Sequence, residues 1–133
     1  MAQATWSNQS FELASFAAEQ FTPEKLLNAG AKLVAAEFTE TDGKRPVQAG
    51  FFVGRTFVER DAGTGFGVAD SGTPDDELYL TAFEVVDANI NADVTLLRHG
   101  TLIYEDKLPG WSGLSAGDKA AIRAAYQCIA AAA

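Results

Sequence analysis

The side chains with chemical reach are few: one histidine (His99), one cysteine (Cys128), a glycine-rich run Gly63-Thr64-Gly65-Phe66-Gly67, and an acidic group of Asp70, Asp75, Asp76 and Glu77. A phosphate-cradling loop needs a strand before it, a helix N-terminus after it and, in the nucleotide triphosphatase form, a Lys followed by Ser or Thr. Here an Asp- and Pro-containing stretch follows instead, so the run is predicted to be a turning surface loop. A nucleophilic triad requires a histidine oriented by a carboxylate and touching a Ser or Cys. No G-x-S-x-G elbow accompanies His99, which reads as a turn residue. Cys128 stands one residue before Ile129, on or beside a predicted buried helix face, where a small hydrophobe is the expected meaning. The acidic group lacks the D-x-D-x-D-G spacing of a calcium loop, and a solvated acidic face is expected. Nothing in the sequence fixes the separation of a carboxylate pair for glycoside chemistry. The expectation is a protein without catalytic residues, cofactor or metal, and not an enzyme.

The whole chain bounds the partners. Its 133 residues suit one domain, and 47% hydrophobic with 11% aromatic residues is too much apolar material for a disordered acidic tail. With 10 Lys+Arg against 18 Asp+Glu the formal charge is -8, which repels phosphates. Nucleic acid and anionic membrane surfaces are therefore poor partners. A single cysteine excludes an intrachain disulfide framework and a thiolate zinc site. No signal-peptide pattern and no run of eighteen apolar residues occurs, so synthesis in a cytoplasm is expected.

The elements that must position any site divide unevenly. Residues 1–22 are poor in charge yet carry Trp6, Phe11, Leu13, Phe16 and Phe21. Each forgoes roughly 1.5–3 kcal/mol of burial by staying wet, so some surface must cover them. An extended N-terminal arm is expected there. From residue 23 onward, β-rich segments alternate with Gly, Pro and Asp punctuation. Strands are predicted at 32–38, 51–58, 78–86, 93–98 and 101–104, with a short one around 66–69 inside a long surface connection over 59–77. Both faces of 78–86 are largely apolar, which predicts a central strand. His99-Gly100 sits at hairpin spacing between two apolar runs. Ser115 followed by Asp118 marks a helix start, and Ile122, Tyr126 and Ile129 recur at helical spacing, so one short C-terminal helix closes the chain.

Four pieces in order and spacing resemble the head-decoration (cement) proteins of tailed phages, the lambda-type decoration family. They are QAGFFVGRTF (48–57), LTAFEVVDANINADVTLLRHG (80–100), GTLIYEDKLP (100–109) and LSAGDKAAIRAAYQCI (114–129). Together they span about two thirds of the chain. The segment 59–77 and the AKLVAAEF stretch (31–38) depart from the shorter family members.

The resemblance implies a mainly β, β-clip-like compact domain over 23–133. It also implies a homotrimer that sits at three-fold positions outside an icosahedral capsid and stabilises the expanded shell. The partner is the major capsid protein, the location the outer surface of the virion. In this sequence the capsid-binding arm corresponds to 1–22, with Trp6, Phe11, Leu13, Phe16 and Phe21 as its contact residues. Two other readings stay open: another β-rich virion component, from tail, head-completion or fibre base, and a small ligand-binding or enzymatic β domain.

Overall fold

The computed structural model describes residues 15–27, 31–69 and 75–131. Among the described residues seven strands form two sheets. The first has five antiparallel strands, β1 (Leu26–Leu27), β2 (Phe52–Arg55), β3 (Gly67–Val68), β4 (Glu77–Thr81) and β5 (Leu96–Leu97), in the order β1-β5-β4-β2-β3. The second pairs β6 (Leu102–Tyr104) with β7 (Gln127–Ile129) in parallel. Two helices lie among the described residues, α1 (Phe57–Asp61) and α2 (Ala116–Ala125).

The alternation of side chains along a strand explains why β4 is central. It pairs with β2 through four residues, Phe52 opposite Leu80 and Arg55 opposite Glu77 at the ends, and with β5 through Leu80 and Thr81. Leu80 joins a core with Phe16, Phe52, Leu97, Ile103 and Ile122, while Tyr79 packs on the opposite side against a second core containing Val47, Val53, Phe66 and Leu96. Adjacent residues of β2 (Phe52, Val53) and of β5 (Leu97, Leu96) split between these cores in the same way. The sheet is thus covered on both faces.

Several predicted boundaries are corrected. The stretch 32–38 makes only two isolated bridges, Lys32 to Asp93 and Leu33 to Phe66, before a 3-10 turn at Ala35–Glu37. The stretch 51–58 stops being strand at Arg55. Thr56 Oγ1 accepts the Glu59 N–H while the Glu59 carboxylate accepts the Thr56 N–H, a reciprocal cap that starts α1. Regular pairing of 78–86 ends at Thr81, leaving one bridge between Val85 and Val47. Only Leu96–Leu97 of 93–98 is a regular strand, and β1 was not anticipated. The predicted short strand near 66–69 is present as β3.

His99-Gly100 does not close a hairpin, because β5 and β6 belong to different sheets. The C-terminal helix likewise ends early. Tyr126 is extended (φ -124, ψ 159), and the next three residues pair with β6. Its buried phenol explains the break: the hydroxyl donates to Leu97 O at 2.6 Å and accepts the Leu80 N–H at 2.9 Å. Helical continuation would forfeit both bonds. Parallel strands also need a long crossover, which here contains α2.

Candidate functional site

The expected arm begins at its root, Ser15 to Thr22, and here the chain is already part of the domain. Phe16 is 1% exposed and lies in the core with Ile103 and Ile122. Phe21 packs against the same core, its ring centroid 5.7 Å from that of Phe16. The chain's own core thus takes up Phe16, which the sequence assigns to a partner, whereas Phe21 is only partly buried beside it. Trp6, Phe11 and Leu13 lie outside the described residues.

Backbone bonds hold the root along β6. Tyr104 N–H donates to Phe16 O at 2.7 Å, Ala17 bridges Ile103 in antiparallel sense, and Ala18 N–H reaches Leu102 O at 3.3 Å. The Glu19 carboxylate accepts the Leu102 N–H at 2.7 Å and pairs with Lys25. The Lys25 hydrogen bond, helped by the Leu102 amide, holds the Glu19 carboxyl below its ordinary range. β6 thus has β7 on one side and the root on the other, which satisfies the backbone groups of both its edges. Gly50 makes room for this arrangement. Its φ is +84, and a side chain there would meet the Phe16 ring at 2.9 Å and Pro109 at 3.1 Å.

Beside this contact lies a mostly apolar groove of about 130 Å³, bounded by Gly50, Pro109, Val68, Leu114 and Ile122, with Asp118 the one charged residue among the described residues lining it. A larger open hollow of about 570 Å³ lies near Lys32, Phe83, Glu84 and Asp93, and its surface is more polar. Phe83 is half exposed, Val86 and Ile90 more so. Sequence reading missed these exposed side chains because a run with two apolar faces looks like a continuing central strand.

The remaining candidates have local structural roles. His99 stacks on Tyr79 (centroids 4.5 Å apart), meets Tyr126 edge-on at 5.5 Å, and sets Nε2 2.6 Å from Leu78 O. Cys128 is partly buried with Sγ 3.9 Å from Ile122 O, and burial pushes its thiol up, away from reactivity. Asp76 accepts the Phe57 N–H at 2.8 Å, and Glu77 pairs with Arg55 at 2.8 Å. Asp70 lies outside the described residues. Among the described residues no three His, Cys, Asp or Glu side chains gather as a metal site. The glycine run closes α1: Gly63, at φ +81, donates to Arg60 O, and Thr64 N–H donates to Glu59 O. No described helix is long and apolar enough to cross a membrane.

Compared with family models, curated proteins and solved structures, the chain matches none.

Proposed function

We propose that this chain is a structural virion protein that attaches as a trimer to the outside of an icosahedral tailed-phage capsid and stabilises the expanded shell. The proposed fold is β-clip-like, and the attachment segment is shortened to residues 1–14, with Trp6, Phe11 and Leu13 as its apolar anchors. Beyond the family resemblance, the observation that carries this reading is the fixed root. Residues 1–14, with three large apolar side chains, join the described domain at a point fixed by the burial of Phe16 and by backbone bonds to β6. An anchor held this way transmits load from the segment into the core.

The mechanism is linkage. A trimer that bridges capsomers binds the closed shell and loses its site when the shell bursts. Such a ligand stabilises the bound state by RT ln(1 + [L]/Kd), about 2.7 kcal/mol per site at a hundredfold excess over Kd. Summed over many junctions, modest affinity suffices. Backbone pairing of the segment with a capsid strand supplies register, and its aromatic groups supply pocket contacts.

The test is co-sedimentation with expanded shells assembled from the major capsid protein encoded with this chain. Deleting residues 1–14 leaves Phe16 and Phe21 in place, so the truncated protein is expected to fold and to lose shell binding. Undiminished binding by the folded truncation would reject the attachment segment. Failure of the full chain to bind shells would reject the function.

A further inference from the structure

The hollow of about 570 Å³ is built on a pinned stretch of chain, residues 82–95, which connects β4 to β5. Val85 exchanges both backbone bonds with Val47 at 2.8 Å, and Ala82 N–H donates to Thr95 O at 2.8 Å. The Asp87 carboxylate accepts the Arg45 and Asn89 N–H groups, each at 3.0 Å. Leu33 N–H donates to Ala92 O at 2.8 Å, which ties the Lys32 side of the hollow to the same stretch. The volume falls within the roughly 300–1,000 Å³ of small-molecule sites. Because backbone bonds set the shape, binding there requires little ordering of the chain.

The side chains that line the hollow define its chemistry. Phe83 is 49% exposed although the bonds on either side of it fix the backbone, so a flat apolar ring is held against solvent. Lys32, Glu84, Asn91, Asp93 and Thr95 share the lining among the described residues. Lys32 pairs with Asp93, and their side chains are 60% and 68% exposed. Asn91 Oδ1 accepts the Asp93 N–H at 3.1 Å, so the end of that amide which can serve a ligand is the donor. Acceptors (Glu84, Asp93) and donors (Lys32, Asn91) are thus interspersed around one aromatic ring, and the Thr95 hydroxyl can act as either.

That mixture disfavours two classes of ligand. An anion meets two carboxylates against one ammonium, on a chain of charge -8. A wholly apolar molecule strips water from the polar groups and returns no hydrogen bonds. A pyranose suits both parts of the lining. It is uncharged, the C–H groups on one face of its ring lie flat on the electron-rich face of an aromatic side chain, and its hydroxyls donate to carboxylates and accept from amides and ammonium groups.

We propose that this hollow binds a neutral saccharide, with one pyranose ring stacked on Phe83 and its hydroxyls bonded to Glu84, Asn91 and Asp93. The inference concerns the isolated protein and stands apart from the function proposed above.

The experiment is an NMR titration of the full chain with methyl glucoside, methyl galactoside and methyl mannoside in turn. Sorbitol, an open-chain polyol, and tetramethylammonium, a cation, serve as comparisons. At least one glycoside is expected to move the Phe83 ring and Val94 methyl resonances along a saturable curve and to leave the buried Leu80 methyls in place. Phe83→Ala should weaken that binding by about tenfold or more, the Leu80 methyls again reporting an intact fold. No saturable movement with any of the three glycosides would overturn the proposal. So would an equal response to sorbitol, which needs no stacked ring, or a response to tetramethylammonium alone, which would make the hollow a cation site. A folded Phe83→Ala chain that binds the glycoside as tightly as the parent would overturn it as well.

Discussion

At the scale of single residues, identity of type was legible and destination was not. Phe16 and Phe83 are both phenylalanines flanked by small or polar neighbours, yet the first is 1% exposed and the second 49%. Phe16→Ala is expected to destabilise the domain by about 3–5 kcal/mol, the range for emptying a buried aromatic site. Phe83→Ala should fall within about 0.5 kcal/mol of the parent. Urea unfolding of both variants checks the contrast, and a near-neutral Phe16→Ala would return that residue to the partner-binding segment. The sequence marks 1–22 as apolar beyond the needs of a tail, and in the described part of that stretch Phe16 is covered and Phe21 partly so. It does not say whether the cover is the chain's own, because that depends on the backbone bonds between residues 16–19 and β6. Those bonds are contacts across more than eighty residues, as the bond from Tyr104 N–H to Phe16 O shows. Tyr126 is similar: its spacing from Ile122 is helical, but its hydroxyl partners on β4 and β5 decide the backbone.

At the scale of elements, caps were more legible than strand lengths. The pattern Ser115-x-x-Asp118 predicts the start of α2, and Ser115 Oγ does accept the Asp118 N–H at 3.1 Å. The equivalent Thr56-x-x-Glu59 straddles the end of a strand predicted over 51–58, because the apolar residues around Thr56 suit either period. Thr56→Ala removes half of that reciprocal cap and should cost about 1 kcal/mol. Chemical denaturation gives the value, and no loss would mean that α1 is held by its neighbours alone. A second element-level contact joins the turn Glu105–Lys107 to α2: Arg123 Nε and Nη2 lie 2.8 and 2.6 Å from the two carboxylate oxygens of Glu105. The Arg123 hydrogen bonds hold the Glu105 carboxyl below its ordinary value of 4.5. A carboxyl with a lowered folded value contributes stability above its unfolded value, and that contribution is lost as pH falls through the folded one. Arg123 is half exposed, so solvent screening keeps the contribution of the pair small. Glu105→Gln should therefore be less stable than the parent at pH 7, and the gap should close as pH falls through the lowered folded value and the carboxyl protonates. A gap independent of pH would assign the loss to packing.

At the scale of the whole molecule, the acidic charge and the proposed trimer pull against each other. Each chain carries -8, so three chains in contact repel at low ionic strength. Interactions between exposed charges fade beyond the Debye length, about 10 Å at 0.1 M salt and 3 Å at 1 M. If the chains associate through apolar surface, raising salt removes the repulsion and leaves the attraction. Phe57, Val58, Phe83, Val86 and Ile90 are exposed apolar residues on the described surface. The trimer should therefore tighten with salt, its dissociation constant falling between 20 mM and 500 mM NaCl, as read from sedimentation equilibrium at three times the chain mass. Weakening with salt would instead identify an interface built on opposite charges, such as one engaging the Lys119 and Arg123 cations that flank Trp111 at 5.2 Å. A chain that stays monomeric at every concentration and salt would remove the threefold geometry on which bridging between capsomers depends. The charge sets this salt response directly, whereas the seat of the interface rests on which apolar side chains the sheet covers. That division follows from topology, since adjacent residues of β2, β4 and β5 are sent to opposite cores while Phe83, just beyond the end of β4, is left outside.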